Sequence, residues 1–339
     1  MEVKILSSIK EVESIEDQWN ILFEENGYIY SQKYSFFKNS IITLDHKDVI
    51  FVLAFFRGKE LYSVFPLTKR KNKLAIIFND HLDEFDFLIR HQSYAYDVVK
   101  AFHHYVANLE NTDLHFSFLG IKSDSYFIKY FHYFFGKSCV SRVGQETIYH
   151  KFFEKQNTLY WHLKSKEKSE IKRFKKKTGE MTITFPTLFP SESIDKLRKS
   201  MVTSGRRSSN FLNKKMLSFL QGCFEDGLLE VVVFSNLNKA CAINFIFNNN
   251  KSKIIFIDIY DEKSYRNISA YVHLLEYYNN QATVDSVSFG RGPYQYKIKN
   301  FKPSVQPLID ILISNSLLNR VVFLNINWIK TVLKYYAKK

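Results

Sequence analysis

Residues 228–260, LLEVVVFSNLNKACAINFIFNNNKSKIIFIDIY, constrain the fold more than any other stretch. Three strand-length runs rich in Val, Ile and Phe are separated by SNLNK and NNNKS, polar segments suited to turns, and this predicts three antiparallel strands in succession. A loop, DEKSYRNIS, a helix, AYVHLLEYYNNQ, and another strand, DSVSF, follow. A meander that continues through a helix into a further strand fits the α+β class rather than strict βαβ alternation. That last strand stops at Gly290, Arg291 and Gly292, before the Tyr- and Lys-rich PYQYKIKNFKP. The chain has only 11 glycines in 339 residues, so a pair flanking one arginine needs a reason. Glycine allows backbone angles and close approaches that a Cβ forbids, which suits a strand ending against a ligand. Arg291, Lys297 and Lys299 add cationic donors beside that backbone, a good match for phosphate or carboxylate oxygens.

The first half has a different order. VKILSS reads as a strand, and VESIEDQWNILFEEN as an amphipathic helix that turns Trp19 and Leu22 inward. YSFFKNSIITLDH predicts a second helix, DVIFVLAFFRGKELYSVFPLTKRKNKLAIIF two or three strands, and QSYAYDVVKAFHHYVANLE a helix. LHFSFLG alternates as a strand does, and SYFIKYFHYFFGK is an aromatic helix between layers. In NDHLDEFDF, His81, Asp83 and Asp86 fall close together. His81 is a candidate general base because an imidazole titrates near neutrality, although a loop histidine is more commonly solvated or structural. The pattern loosens around residues 150–159, which sets a boundary between residues 1–150 and 151–339.

Lys and Arg total 48 against 34 Asp and Glu, a formal charge of +14, and this favours anionic partners without choosing among nucleotides, glycans, membranes and nucleic acid. Residues 164–177 carry eight basic residues against Glu167 and Glu170, with Ile171 and Phe174 placed to dock one helical face. The rest of that helix is either a solvated face or a basic surface for an anionic acceptor or lipid headgroup. In LIDILISNSLLNRVVFLNINWIKTVLKYYAKK, apolar residues recur at helical spacing with Arg320, Lys330, Lys334, Lys338 and Lys339 on the other side. These are expected to be core-packing helices, or else an interfacial helix that keeps the protein at a membrane. Cys139, Cys223 and Cys241 show no pairing pattern and read as small core residues in a reducing compartment. MEVKILSSIKEVESIEDQW lacks the layout of an export signal. No window approaches the roughly eighteen apolar residues of a spanning helix. A cytoplasmic location, free or peripheral to the inner membrane face, is therefore expected. Zinc spacing, Walker loops and nucleophile elbows are all missing from the sequence, and no tightly bound cofactor is expected.

FGRGPYQYKIKNF, from Phe289 to Phe301, resembles the Gly-x-Gly-x-x-x-Tyr-Lys-x-x-Phe signature of GNAT-fold acyltransferases grouped with the cellulose-biosynthesis CelD proteins. More distantly it is similar to the matching segment of Fem-type peptidoglycan aminoacyltransferases. LKSKEKSEIKRFKKK, SGRRSSNFLNKKMLSFLQGCFEDGLLEVVVF and the meander resemble the family's second half in the same order, and residues 19–88 resemble its first half more loosely. The resemblance implies two tandem GNAT-like lobes, each a mixed, mostly antiparallel sheet flanked by helices, and acyl-CoA as cosubstrate. It also implies that the strand at 254–260 diverges from the one at 284–289, leaving backbone at Ile257, Ile259 and Tyr260 to hold pantetheine. Arg266, Asn267 and Ser269 would then receive the pyrophosphate at a helix N-terminus. The family commonly has glycines at that loop, and this chain has none there. By the same resemblance Arg291, Tyr296 and Lys297 would hold an acceptor; Asp83 and Asp86 are further candidates for it, and Arg206 and Arg207 of SGRRSS either touch acceptor or phosphate or face water. Asp258, His81 and Tyr294 are the candidate acid–base groups.

Three functions follow. The first is transfer of an acyl group from acyl-CoA to an amine, with an amino sugar or glycolipid of surface-polysaccharide assembly as acceptor. The second is Fem-like transfer from aminoacyl-tRNA, the one route by which nucleic acid would be a partner. The third is a basic adaptor that keeps the fold without the chemistry.

Overall fold

The computed structural model describes residues 1–79, 81–108, 114–152, 164–178, 181–249, 251–261, 267–281, 283–292 and 303–336, with only the backbone described for 174, 177–178, 267–270 and 327–336. The chain forms two compact units, one of Met1–Gln145 with Pro307–Lys339 and one of Glu146–Gln306.

The first unit opens with β1 (Glu2–Leu6), α1 (Ile9–Glu13), α2 (Glu16–Asn26) and α3 (Tyr34–Ser40). It continues through β2 (Val49–Arg57), β3 (Glu60–Arg70), β4 (Lys73–Ile76), β5 (Leu88–Ile89), α4 (Ala95–Ala107), β6 (His115–Lys122) and α5 (Tyr126–Phe135). β7 (Cys139–Lys151) begins in this unit and ends in the second. The second unit then holds α6 (Ser165–Thr178), β8 (Thr182–Thr184), α7 (Ser191–Thr203), α8 (Lys214–Glu225), β9 (Leu229–Asn236), β10 (Lys239–Asn249), β11 (Ser252–Tyr260), α9 (Asn267–Asn279) and β12 (Ser286–Arg291). β13 (Ser304–Ser314) leads back to the first unit, which ends in α10 (Leu317–Tyr336).

Strands of the first unit lie in the order β1-β2-β3-β4-β6-β13, with β5 beside β3, and those of the second in the order β8-β9-β10-β11-β12-β7. The pairings match step for step. In each unit three antiparallel pairings lead to one parallel pairing, β4 with β6 or β11 with β12, across an intervening helix. An antiparallel strand closes each set, β13 against β6 and β7 against β12. The closing strands are exchanged in sequence: β7 precedes the unit it completes, and β13 follows the unit it leaves.

Two expectations change as a result. Residues 151–339 do not form one lobe, because Pro307–Lys339 groups with Met1–Gln145. LIDILIS is a strand rather than a helix, since Leu308–Ser314 runs antiparallel to Lys122–His115 and the β6 edge satisfies its backbone. β7 is a strand that the sequence reading did not anticipate; VSRVGQE is polar and only its ends are well buried.

Apolar faces account for the cores. In the first unit, Val12, Trp19 and Leu22 pack with Tyr34 and Phe37 against Val52, Ala54 and Val64, and Trp19 Nε1 donates to the Gln32 carbonyl at 2.7 Å. On the α4 and α5 side, Phe65 packs against Phe87, with ring centroids 4.0 Å apart, and also against Phe102, Phe127 and Phe131. In the second unit, Tyr271, Val272, Leu274, Leu275 and Tyr278 of α9 cover Val232, Phe234, Ala242, Ile246, Val287 and Phe289, and Ile171 anchors the basic helix α6 to this core. Cys139, Cys223 and Cys241 are free and buried, and burial pushes the Cys139 thiol up to about 12.

Candidate functional site

The β11/β12 ladder consists of Ser252–Ser286, Lys253–Val287 and Ile254–Ser288. Beyond Ile254, β11 continues to Tyr260 against β10, while β12 continues to Arg291 against β7. Both strands are irregular just where they part. On β11, Phe245 faces Ile257 and Ile246 faces Ile255, which makes Phe256 an extra residue. On β12, Ser288 faces Tyr149 and Arg291 faces Thr147, so Phe289 and Gly290 together span the place of Ile148. Bulges bend a strand and increase its twist, and two of them on diverging strands account for the opening. Gly290 adopts φ +68° and Gly292 φ +95°, which glycine accepts without strain. The Gly290 N–H donates to Ser288 Oγ at 3.1 Å and the Gly292 N–H to the Glu146 carbonyl at 3.0 Å, fixing Arg291 between them.

Strand alternation sets which residues face the α9 side of this sheet. Ala242, paired with Tyr260, belongs to the core under α9, and the next pair on that face is Asn244 with Asp258. Asp258 is half-buried; Ile257 and Ile259 point to the opposite face. Asn244 is fully buried, and its Oδ1 has no hydrogen-bond donor among the described residues. The sequence reading passed over Asn244, although one amide inside the apolar run CAINFIF was a usable signal. On the other face, Ser200 Oγ of α7 donates to Asp261 Oδ1 at 3.0 Å, placing the C-terminal end of α7 beside the open end of β11. Arg206 and Arg207 follow directly and are exposed, with Arg207 stacked on Phe211 at 4.8 Å.

The backbone of α9 begins at Asn267. Arg266, Tyr294, Tyr296 and Lys297 lie outside the described residues, and the side chains of Asn267 and Ser269 are not described. Arg291 is half-buried at the end of β12. Asp258, Tyr260, Arg206 and Arg291 thus belong to the end of the second unit where the ladder has opened. Lys253 lies at the other end of β11, where it donates to Glu230 Oε2 and Asn248 Oδ1 at 2.7 Å, beside a cavity of about 330 Å³.

His81, Asp83 and Asp86 belong to the first unit, whose parallel pairing also spans three residues, Lys73–His115 to Ala75–Ser117. There the matching gap is closed by the chain itself. The Leu119 N–H donates to Asn79 Oδ1 at 3.2 Å, the Phe85 N–H to the Gly120 carbonyl at 2.8 Å, and the Lys122 N–H to the Phe85 carbonyl at 3.0 Å. His81 and Asp86 do not share a cavity. His81 is exposed on a hollow of about 330 Å³ that also includes Arg70, Lys73 and Asn79. Asp86 is buried in the wall of another, of about 500 Å³, with Tyr28, His91, Lys122 and Asp124. Asp86 accepts hydrogen bonds from the Tyr28 hydroxyl, from Ser125 Oγ at 2.7 Å and from the Phe87 N–H at 2.8 Å. Burial pushes its carboxyl up to about 6 against these donors, and burial with the adjacent Asp86 raises Tyr28 as well. Asp83 is half-buried between them in sequence. Tyr28 and Ser125 were not anticipated; they are 58 and 39 residues from Asp86, and no local pattern links them.

No protein-family model and no curated protein matches the chain. Solved structures do. L-PGS from Bacillus licheniformis superposes with a TM-score of 0.63 at 13% identity, over 92% of this chain and 95% of that one. FemX gives 0.62 at 9% identity, over 95% and 100%. A tandem GNAT protein from the clavulanic acid biosynthesis pathway gives 0.53 at 8% identity, over 91% and 98%. At these identities the likeness is one of fold. It agrees with the repeated strand order, and the chain is built from two tandem GNAT-like lobes.

Proposed function

We propose that the protein is an N-acyltransferase that takes its acyl group from acyl-CoA at the β11/β12 opening and gives it to an amine, that of an amino sugar or glycolipid in surface-polysaccharide assembly. The observation that carries this reading is the three-pair ladder with a bulge on each strand where it ends. Strand edges that part in this way offer backbone N–H and C=O groups to the two amides of a pantetheine arm. The N-terminus of α9 would take the pyrophosphate, helped by Arg266, Asn267 and Ser269, because free amides and the helix dipole favour anions. The closed gap of the first unit favours one donor site per chain, in the second unit.

In the reaction the amine nitrogen forms a bond to the thioester carbonyl carbon. The tetrahedral oxyanion is stabilised by backbone N–H groups of β11, the C–S bond breaks, and the thiolate leaves with a proton. The amine gives up its proton to a base, which we assign to Asp258, with Tyr294 as the acid toward sulfur. Most of the rate would come from holding the two reactants in line. Arg291, Tyr296, Lys297 and Arg206 would grip an anionic acceptor. The CelD-like signature of Phe289–Phe301 supports an acyl-CoA donor.

The Fem-type resemblance, together with the fold shared with FemX, supports a second reading, in which the donor is an aminoacyl-tRNA and the basic helix α6 bears on the RNA. Calorimetric titration of the full chain with acetyl-CoA and a long-chain acyl-CoA separates the two. Saturable 1:1 binding displaced by free CoA is expected. If neither thioester binds, and charged tRNA binds in a salt-sensitive way, the donor assignment passes to the second reading.

A further inference from the structure

Exposed large aliphatic side chains are scattered over most of the described surface, but Leu317, Leu318, Val321, Val322 and Leu324 gather on the first turns of α10. Leu317 and Leu318 are 67% and 71% exposed. Leu317, Val321 and Leu324 are spaced i, i+4, i+7, and Leu318 and Val322 form the adjoining row, so the five share one broad face. The opposite side holds the helix to its unit. Phe323 is only 8% exposed, and the Arg142 guanidinium stacks on its ring at 4.4 Å and donates to its carbonyl at 2.7 Å. Arg142 is itself bound to Asp310 of β13 at 2.9 Å. Arg320 Nη1 donates to the carbonyls of Ser314 and Asn315 at 2.6 and 3.1 Å. The helix therefore docks through a cation-clamped phenylalanine and presents its aliphatic face outward, the reverse of an ordinary surface helix.

Charge indicates what covers that face. The sequence of α10, LLNRVVFLNINWIKTVLKYY, contains no Asp or Glu and carries Arg320, Lys330 and Lys334, in a chain of net charge +14. A second copy would bring the same net charge of +14 and be repelled, whereas an anionic bilayer both accepts the aliphatic face and attracts the positively charged chain. Among the described residues no helix is long and apolar enough to cross a membrane, so α10 would lie in the interface and not span it.

We propose that α10 docks the protein on an anionic lipid surface by sinking the Leu317–Leu324 face into the headgroup boundary. This docking is independent of the donor assignment and requires no transfer chemistry. The test is flotation of the full chain with phosphatidylcholine vesicles and with phosphatidylcholine/phosphatidylglycerol vesicles, beside the double variant Leu318→Glu, Val322→Glu. Both positions are exposed, so the variant should keep the wild-type melting temperature. The wild type is expected to float with the anionic vesicles and much less with the neutral ones, and the variant's partitioning to fall by a factor on the order of ten or more. The proposal is overturned if the wild type stays in solution with anionic vesicles, or if the variant floats equally well and so assigns binding to another basic surface such as α6. It is also overturned if light scattering finds a dimer that the variant dissociates and that does not bind vesicles.

Discussion

Ile254 of β11 stands opposite Ser288 of β12, and theirs is the last pair of the ladder. Two residues further along β11 lies the bulge at Phe256, and directly after Ser288 lies the bulge at Phe289 and Gly290. The opening is thus built into the backbone register of both strands, and substitutions that repair the register should close it.

Gly290 is the most direct test. Its φ of +68° is costly for any residue with a Cβ. Gly290→Ala is expected to lower stability by about 1–2 kcal/mol and to weaken acetyl-CoA binding more than that loss of folded protein explains. Urea denaturation and calorimetry on the same preparation measure both, and unchanged donor affinity would separate the bulge from the donor site.

Asp258 lies on the α9 side of β11, cross-strand from Asn244. If it takes the amine proton, Asp258→Asn should lower kcat by roughly 10²–10⁴ and leave the donor KM close to that of the wild type. Steady-state kinetics over a range of pH would show the loss; a full-rate variant would remove Asp258 from the role of base.

Gly144 and Asp310 show a close approach in the first unit. A Cβ on Gly144 would stand 2.4 Å from Asp310 Oδ1. That carboxylate is held by the Gly120 N–H at 3.0 Å and by Arg142 at 2.9 and 3.2 Å, so it has little freedom to retreat. Gly144→Ala is expected to destabilise by about 1–3 kcal/mol, and Asp310→Ala by more, because it strips a partly buried arginine of its partner. The two changes should be strongly non-additive in denaturant titrations, and simple additivity would mean that they do not share this contact.

Asp86 titrates at about 6 in the folded protein against 3.8 ordinarily, because burial disfavours its charge. The folded state therefore binds this proton more tightly than the unfolded chain. The associated stability is fully present below about 3.8 and is lost as pH rises through about 6. Relative to Asp86→Asn, the wild type should lose melting temperature between about pH 4 and pH 7. Parallel melting curves of the two proteins would disprove the shift.

What the residues alone determined is local. The meander, the helix after it, the paired glycines and the aromatic helices each follow from periodicity and turn chemistry, and those elements lie where the sequence placed them. The net positive charge of the chain is likewise a matter of composition. β7 and β13 were decided by the tertiary structure, since a polar strand such as VSRVGQE and an ambiguous run such as LIDILIS take β form only when a neighbouring edge satisfies their backbone groups. The same holds for the exchange of those strands, for the Tyr28–Asp86 and Arg142–Asp310 contacts between distant positions, and for the outward face of α10. Periodicity shows that a helix has an apolar side; only packing around Phe323 decides which way that side faces.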